Sequence, residues 1–247
     1  MKIVNASYEI LTDISPYGTL ELEQIERAAR TCYKSEDKIT EQGESAKKLI
    51  KNLIKNGHEA MLEHSQLSVK FICDRGVSHE LVRHRMASFA QESTRYCNYS
   101  NEKFGNEITV IRPFFISEEN LIEDIADFAQ LWKACLYGYP TKDLDRVLDM
   151  SAKQRMALLW KGICVNAQET YFTLLANGWT PQEARCVLPN SLKTEVVMTA
   201  NYREWRHILK LRTDKAAHPQ MRELMIPLLK ELKERIPVIF DDIEVEE

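Results

Sequence analysis

The sequence predicts a helix-rich α+β fold, a single domain over residues 1–247 around a small antiparallel sheet. Three observations point there. Apolar residues recur at helical spacing through most of the C-terminal half. Clear strand-like alternation is confined to a short run near residue 70. No linker, internal repeat or low-complexity stretch divides the 247 residues, of which 44% are hydrophobic and 28% charged. Such a chain can bury a sizeable core.

Met1 to Ile10 reads as a plain strand or loop start. A first helix is expected from about Leu20 to Cys32, because Leu22, Ile25, Ala28, Ala29 and Cys32 fall on one face. A second is expected from Glu44 to Asn56, with Leu49, Ile50, Leu53 and Ile54 inward and Gly57 as the stop. Leu67, Val69, Phe71 and Cys73 alternate with polar residues and predict a strand. A short helix is expected over Val77 to Arg85, a loop over Gln91 to Arg95 and a second strand over Ile108 to Ile111. Phe114 to Arg155 carries no assignable motif.

Further on, Met156, Leu159, Ile163, Ala167, Tyr171 and Leu174 predict a long helix ending at Asn177-Gly178. Thr180-Pro181-Gln182-Glu183 is a capping box with proline at the first helical position, and that helix must stop near Leu188-Pro189. Asn201 and Glu204 cap another helix before Trp205, Ile208 and Leu209. The last helix starts near Pro219 and buries Met221, Leu224, Met225, Leu228, Leu229 and Leu232.

The net charge of −4 gives no general attraction for nucleic acid. No apolar stretch approaches the length of a membrane span. The six cysteines are widely spaced and form no Cys-x-x-Cys pair, which with the missing signal peptide points to reduced thiols in the cytoplasm. A zinc site is not expected. His58 and His64 lie six residues apart, not the four that put two ligands on one helix face, so the metal reading is none.

The most informative run is Arg83-His84-Arg85, followed by Ser93 and Arg95. Like charges crowded this closely repel one another and call for an anionic partner. On a helix Arg83 and Arg85 would point about 200° apart and serve two ligands, or a ligand and another subunit. The stretch Gln91-Glu92-Ser93-Thr94-Arg95 offers hydroxyls, an amide and backbone N–H groups that suit a phosphate. Ser93 lacks a Gly-x-Ser-x-Gly turn and reads as a hydrogen-bonding group to substrate before it reads as a nucleophile. Arg203 and His207, four apart, share a helix face. Cys97 and Cys186 read as packing residues.

Arg-His-Arg-x7-Ser-x-Arg resembles the signature of the flavin-dependent thymidylate synthases. Gly57-His58-Glu59, with Glu63-His64, resembles the family's flavin and folate segment. Arg185 and the set Asn201, Arg203, His207 and Arg212 resemble its nucleotide- and flavin-contacting groups. Ala60, Glu80 and Gln91 depart from residues common in the family at those positions.

The resemblance implies the fold of the thymidylate-synthase-complementing proteins and a homotetramer whose sites are shared between subunits. It implies FAD held by His58, Arg83, His84, Arg85, Gln91, Asn201, Arg203 and His207. It implies dUMP held by Glu80, Arg83, Gln91, Glu92, Ser93, Thr94, Arg95, Arg185 and Arg212, with Arg212 as the catalytic cation. NADPH and 5,10-methylenetetrahydrofolate would be co-substrates, and dTMP and tetrahydrofolate the products. Two rival readings are a single-strand nucleic-acid module using Arg75 to Arg95 with Phe89, Tyr96 and Tyr99, and a flavoprotein that only oxidises NADPH.

Overall fold

Short apolar strands are interspersed among amphipathic helices along the chain. The computed structural model describes residues 1–121, 128–138 and 144–245. In chain order the elements are β1 (Lys2–Val4), β2 (Ser7–Ile10), α1 (Thr19–Thr31), α2 (Glu44–Lys55), β3 (Gln66–Asp74), α3 (Arg75–Leu81), β4 (Ala87–Gln91) and β5 (Thr109–Ile111). They continue with α4 (Phe128–Tyr137), α5 (Leu144–Asp149), α6 (Ala152–Ala176), α7 (Pro181–Ala184), β6 (Lys193–Asn201), α8 (Tyr202–Thr213), α9 (Pro219–Arg235) and α10 (Pro237–Phe240). The description is helix-rich α+β, as the sequence predicts.

Two compact units divide the chain, and both are discontinuous in sequence. One comprises Ala6–Cys73, Val77–Gln91 and the chain from Glu195 onward. Its sheet has the order β2-β3-β6-β4, with β2 antiparallel to β3 and β4 antiparallel to β6. Along β6, Val196, Met198 and Ala200 are buried and alternate with partly exposed neighbours. Leu67, Val69, Phe71 and Cys73 do the same on β3. Their buried faces join α1, α2, α8 and α9 in one core. Trp205 of α8 lies within it, and its indole N–H donates to the Leu67 carbonyl at 2.9 Å, fixing α8 to β3. Helix α1 begins after Gly18, at φ +68°, where an added Cβ would sit 2.6 Å from the Ile236 side chain.

The other unit comprises Met1–Asn5, Asp74–Gly76 and Glu92–Thr194. Here β1 pairs with β5 in parallel, from Lys2↔Thr109 to Val4↔Ile111. The expectation of antiparallel pairing therefore fails for this ladder. The two strands are distant in sequence and meet without a hairpin. Helix α6 starts at a capping box. The Ser151 hydroxyl accepts from Gln154 N–H at 3.2 Å, and the Gln154 side chain accepts from Ser151 N–H at 2.9 Å. Tyr171 and Cys164 of α6 pack with Tyr99, Ile108 and Val110.

Two expectations need correction. The helix over Val77 to Arg85 stops at Leu81: Arg83 and His84 N–H groups bond to carbonyls three residues back, Glu80 and Leu81, and the coil tightens into a turn. Arg83, His84 and Arg85 thus lie outside helical geometry, and no helix sets Arg83 and Arg85 about 200° apart. Gln91 belongs to β4, so the expected loop begins one residue later.

Gly162 sits inside α6 where a Cβ would lie 1.9 Å from Cδ1 of Trp132. Replacing an internal helical glycine by alanine ordinarily stabilises by about 1 kcal/mol. Gly162→Ala should instead destabilise by about 1–3 kcal/mol, because the clash exceeds the gain in propensity. Urea unfolding of the variant against the parent measures the sign.

Candidate functional site

Three groups of the expected site residues can be placed, each within one unit.

The first lies where α8 ends. Arg212 points its guanidinium at the turn after α3. Its Nε–H donates to His84 Nε2 at 3.0 Å, Nη1 to Glu80 Oε2 at 2.8 Å and Nη2 to the Glu80 carbonyl at 3.2 Å. A guanidinium has five N–H groups, so two are left without an acceptor among the described residues and can meet a ligand in a fixed plane. His84 is buried while Arg83 and Arg85 beside it are exposed. Burial, then the charges of Arg212 and His207, push the imidazole from its ordinary value of 6.5 to about 4. It is neutral at pH 7. Nε2 accepts, so Nδ1 carries the proton and faces Glu204 Oε1 at 3.9 Å. The expected residues Glu80, His84 and Arg212 thus form one contact chain, joined by Glu204, which the sequence marks only as part of the α8 cap.

The second group is a cleft of about 410 Å³ beside α8, lined by Asn201, Arg203, Arg206, His207 and Lys210, with Glu59, Glu63 and Met86 opposite. It unites three residues expected to hold the cofactor. Asn201 Oδ1 accepts from Glu204 N–H at 2.8 Å as the α8 cap, which leaves its amide N–H groups to donate. Arg203 pairs with Glu63 at 2.5 Å. Arg206, 1% exposed, binds Glu59 at 3.1 Å and Asp242 at 2.6 Å. No sequence signal marked Arg206, Glu59 or Asp242 as a set. The donors and the two carboxylates suit a ligand that is anionic in one part and hydroxylated in another, as a dinucleotide with its diphosphate and sugar hydroxyls is. His58 lines a different cleft of about 620 Å³, with Tyr33, Leu49, Leu53 and Met61. Gln91 donates to Ser78 Oγ at 3.0 Å.

The third group lies in the other unit. The Ser93 hydroxyl accepts from Arg95 N–H at 3.3 Å and shapes the turn. Thr94 Oγ1 accepts from Arg185 Nη1 at 3.3 Å, and Arg95 Nε donates to Gln182 at 3.0 Å. Two expected arginines, distant in sequence, are therefore bound to one Ser-Thr-Arg turn and the α7 segment. Glu92 is engaged elsewhere, with Lys193 at 2.9 Å and the Tyr99 hydroxyl at 3.2 Å. Cys97 packs beside the core of this unit, whereas Cys186 is exposed, against the expectation of packing. Among the described residues no three histidine, cysteine or acidic groups gather as metal ligands. No helix among them is long and apolar enough to cross a membrane.

These clusters present guanidinium groups held by acidic, imidazole, hydroxyl and amide partners, a chemistry that suits anionic ligands. Comparison with known proteins gives the family. The model described as thymidylate synthase complementing protein matches residues 19–238, and the chain belongs to that family. It is 32% identical over 222 residues to a protein of Corynebacterium aurimucosum named flavin-dependent thymidylate synthase, covering 90% of this chain and 79% of that one. A Corynebacterium glutamicum protein of the same name is 29% identical over 242 residues, covering 98% and 85%.

The His84 environment has a pH consequence. The unfolded imidazole binds a proton below about 6.5, the folded one only near 4. Stability from this group is complete above pH 6.5 and is lost as pH falls through the interval to 4, at up to about 1.4 kcal/mol per pH unit. His84→Gln should flatten the fall in melting temperature between these pH values, as read by thermal unfolding in a buffer series.

Proposed function

We propose that this protein is a flavin-dependent thymidylate synthase: dUMP, 5,10-methylenetetrahydrofolate, NADPH and a proton give dTMP, tetrahydrofolate and NADP⁺. The observation that carries the proposal is the arginine of α8, Arg212, held rigidly by two groups from the signature region, Glu80 and His84. A fixed cation with spare donors is what activation of an electron-poor pyrimidine by charge needs. FAD, when bound, supplies hydride transfer between NADPH and the one-carbon unit delivered to the uracil.

In this reading Arg212 is the catalytic residue. Placed beside the uracil, it favours the ionised N3 form and drives electron density to C5, so no cysteine nucleophile is needed. Neutral His84 accepts from Arg212 and fixes its plane without competing for the anion. Thr94, Arg95 and Arg185 hold the phosphate of dUMP, a dianion well matched to forked guanidiniums, with Ser93 shaping the turn. Glu80, Arg83, Gln91 and Glu92 complete the dUMP set carried over from the family. Asn201, Arg203 and His207 hold FAD through the cleft on α8, with His58, Arg83, His84, Arg85 and Gln91 as the further family contacts. The chain acts as a single catalytic domain with the fold of its family, assembles as a homotetramer with shared sites, and works in the cytoplasm. No nucleic acid or membrane is engaged.

The purified protein should be yellow, and dUMP should alter the flavin absorbance. A colourless protein that cannot be reconstituted with FAD would count decisively against the assignment. Arg212→Lys keeps the charge but loses the planar fork; turnover to dTMP should fall by about 10²-fold or more with FAD retained. Near-normal dTMP formation by this variant would remove Arg212 from the chemistry. Ser93→Ala should raise the KM for dUMP more than it lowers kcat; complete loss of turnover at saturating dUMP would make Ser93 the nucleophile.

A further inference from the structure

Arg206 stands out among the arginines of α8. Its neighbours on the helix, Arg203 and His207, are exposed, yet Arg206 itself is 1% exposed. A buried guanidinium costs several kcal/mol unless every N–H finds an acceptor. Here all five do. Nε and Nη2 donate to Glu59 Oε1 at 3.3 and 3.1 Å. Nη1 donates to the Ile239 carbonyl and to Asp242 Oδ1, the latter at 2.6 Å, and Nη2 donates to Asp242 Oδ2 at 2.7 Å.

The two acceptor carboxylates are far apart in sequence. Glu59 opens the turn Glu59–His64, directly after His58, and lines the cleft with Arg203, Asn201 and His207. Asp242 follows α10, beyond residue 238, where the family match ends. Only Oε1 of Glu59 takes the Arg206 bonds; Oε2 receives none from the described residues and can accept from a ligand. Glu63, on the same turn, is held by Arg203 at 2.5 Å. Helix α8 thus grips both carboxylates of the turn, and the C-terminal segment grips α8 through the same guanidinium.

We propose that Asp242 and the Ile239 carbonyl form a C-terminal strut that positions Arg206, which in turn fixes Glu59 as an acceptor for a ligand hydroxyl in the α8 cleft. Arg206 and Asp242 are positioning residues; Glu59 makes the contact. The ligand chemistry is that of a sugar or ribityl hydroxyl next to a diphosphate, since Arg203 and Asn201 supply donors at the same cleft. The proposal rests on the assignment of this cleft to FAD.

The test uses the full-length protein and FAD titration followed by flavin fluorescence, with the visible circular dichroism of bound flavin and thermal unfolding as parallel readouts. Asp242→Asn loses the ionic half of the strut, and Glu59→Gln keeps the side-chain length while weakening the acceptor. Each should raise the Kd for FAD by about tenfold and alter the visible dichroism at a temperature where the variant is folded, alongside a lower melting temperature from the weakened partner of a buried guanidinium. The double variant should bind FAD no more weakly than Glu59→Gln alone, because Asp242 acts through Glu59. Asp242→Glu should recover part of the affinity. Additive losses in the double variant overturn the proposal. So does a lowered melting temperature with unchanged FAD affinity. If the parent binds FAD and Glu59→Gln binds it equally well, the strut alone is overturned; a parent that binds no FAD overturns the cofactor assignment as well.

Discussion

Burying one positive charge in the wall of a helix sets the terms for the larger unit. Arg206 sits on the side of α8 that also carries Trp205 into the core, and desolvating it is tolerable only while Glu59, Asp242 and the Ile239 carbonyl keep their places. The turn before β3, helix α8 and the C-terminal segment therefore cannot drift independently. Hydrophobic contact alone would allow sliding along α8, because it is non-directional. The forked, planar hydrogen bonds of a guanidinium do not.

Helix α8 carries a second arginine used in a different way. Arg212 is partly buried at the last turn and spends three of its N–H groups on His84 and Glu80, keeping two in reserve. Arg206 keeps none. The difference in saturation separates a structural charge from one that can meet a substrate. His84 makes the arrangement workable. A protonated imidazole would repel the guanidinium it has to accept from, and burial holds it neutral. The residue between two exposed arginines is thus the one turned inward.

In the smaller unit the anion-binding character is local. The whole chain carries a net charge of −4, yet Arg95 and Arg185 meet around one short turn whose backbone is shaped by Ser93. The Thr180-Pro181-Gln182-Glu183 box contributes more than a helix start. It holds Gln182 where Arg95 can donate to it, and it delivers Arg185 to Thr94. A capping motif that reads as local structure in the sequence also aims two cations.

Most helices were legible along the chain because burial of an apolar face repeats every three or four residues, as in α1, α2, α6 and α9. Caps were legible too, since Asn201 accepts from the Glu204 N–H and the Glu183 carboxylate accepts from the Thr180 N–H, each within three residues. The Arg-His-Arg run and the later arginines marked the chemistry by type and spacing, and the family match agrees with that. Strand β6 was less visible: its alternation is broken by paired valines, and its register depends on β4, more than a hundred residues earlier. The parallel pairing of β1 with β5 was likewise set by a partner elsewhere, whereas α3 ends at Leu81 in a local turn. What tertiary structure alone decided was which charges are paired. Residue type announces a guanidinium, but whether it is spent, as on Asp242, or kept, as at Arg212, depends on acceptors far away in sequence.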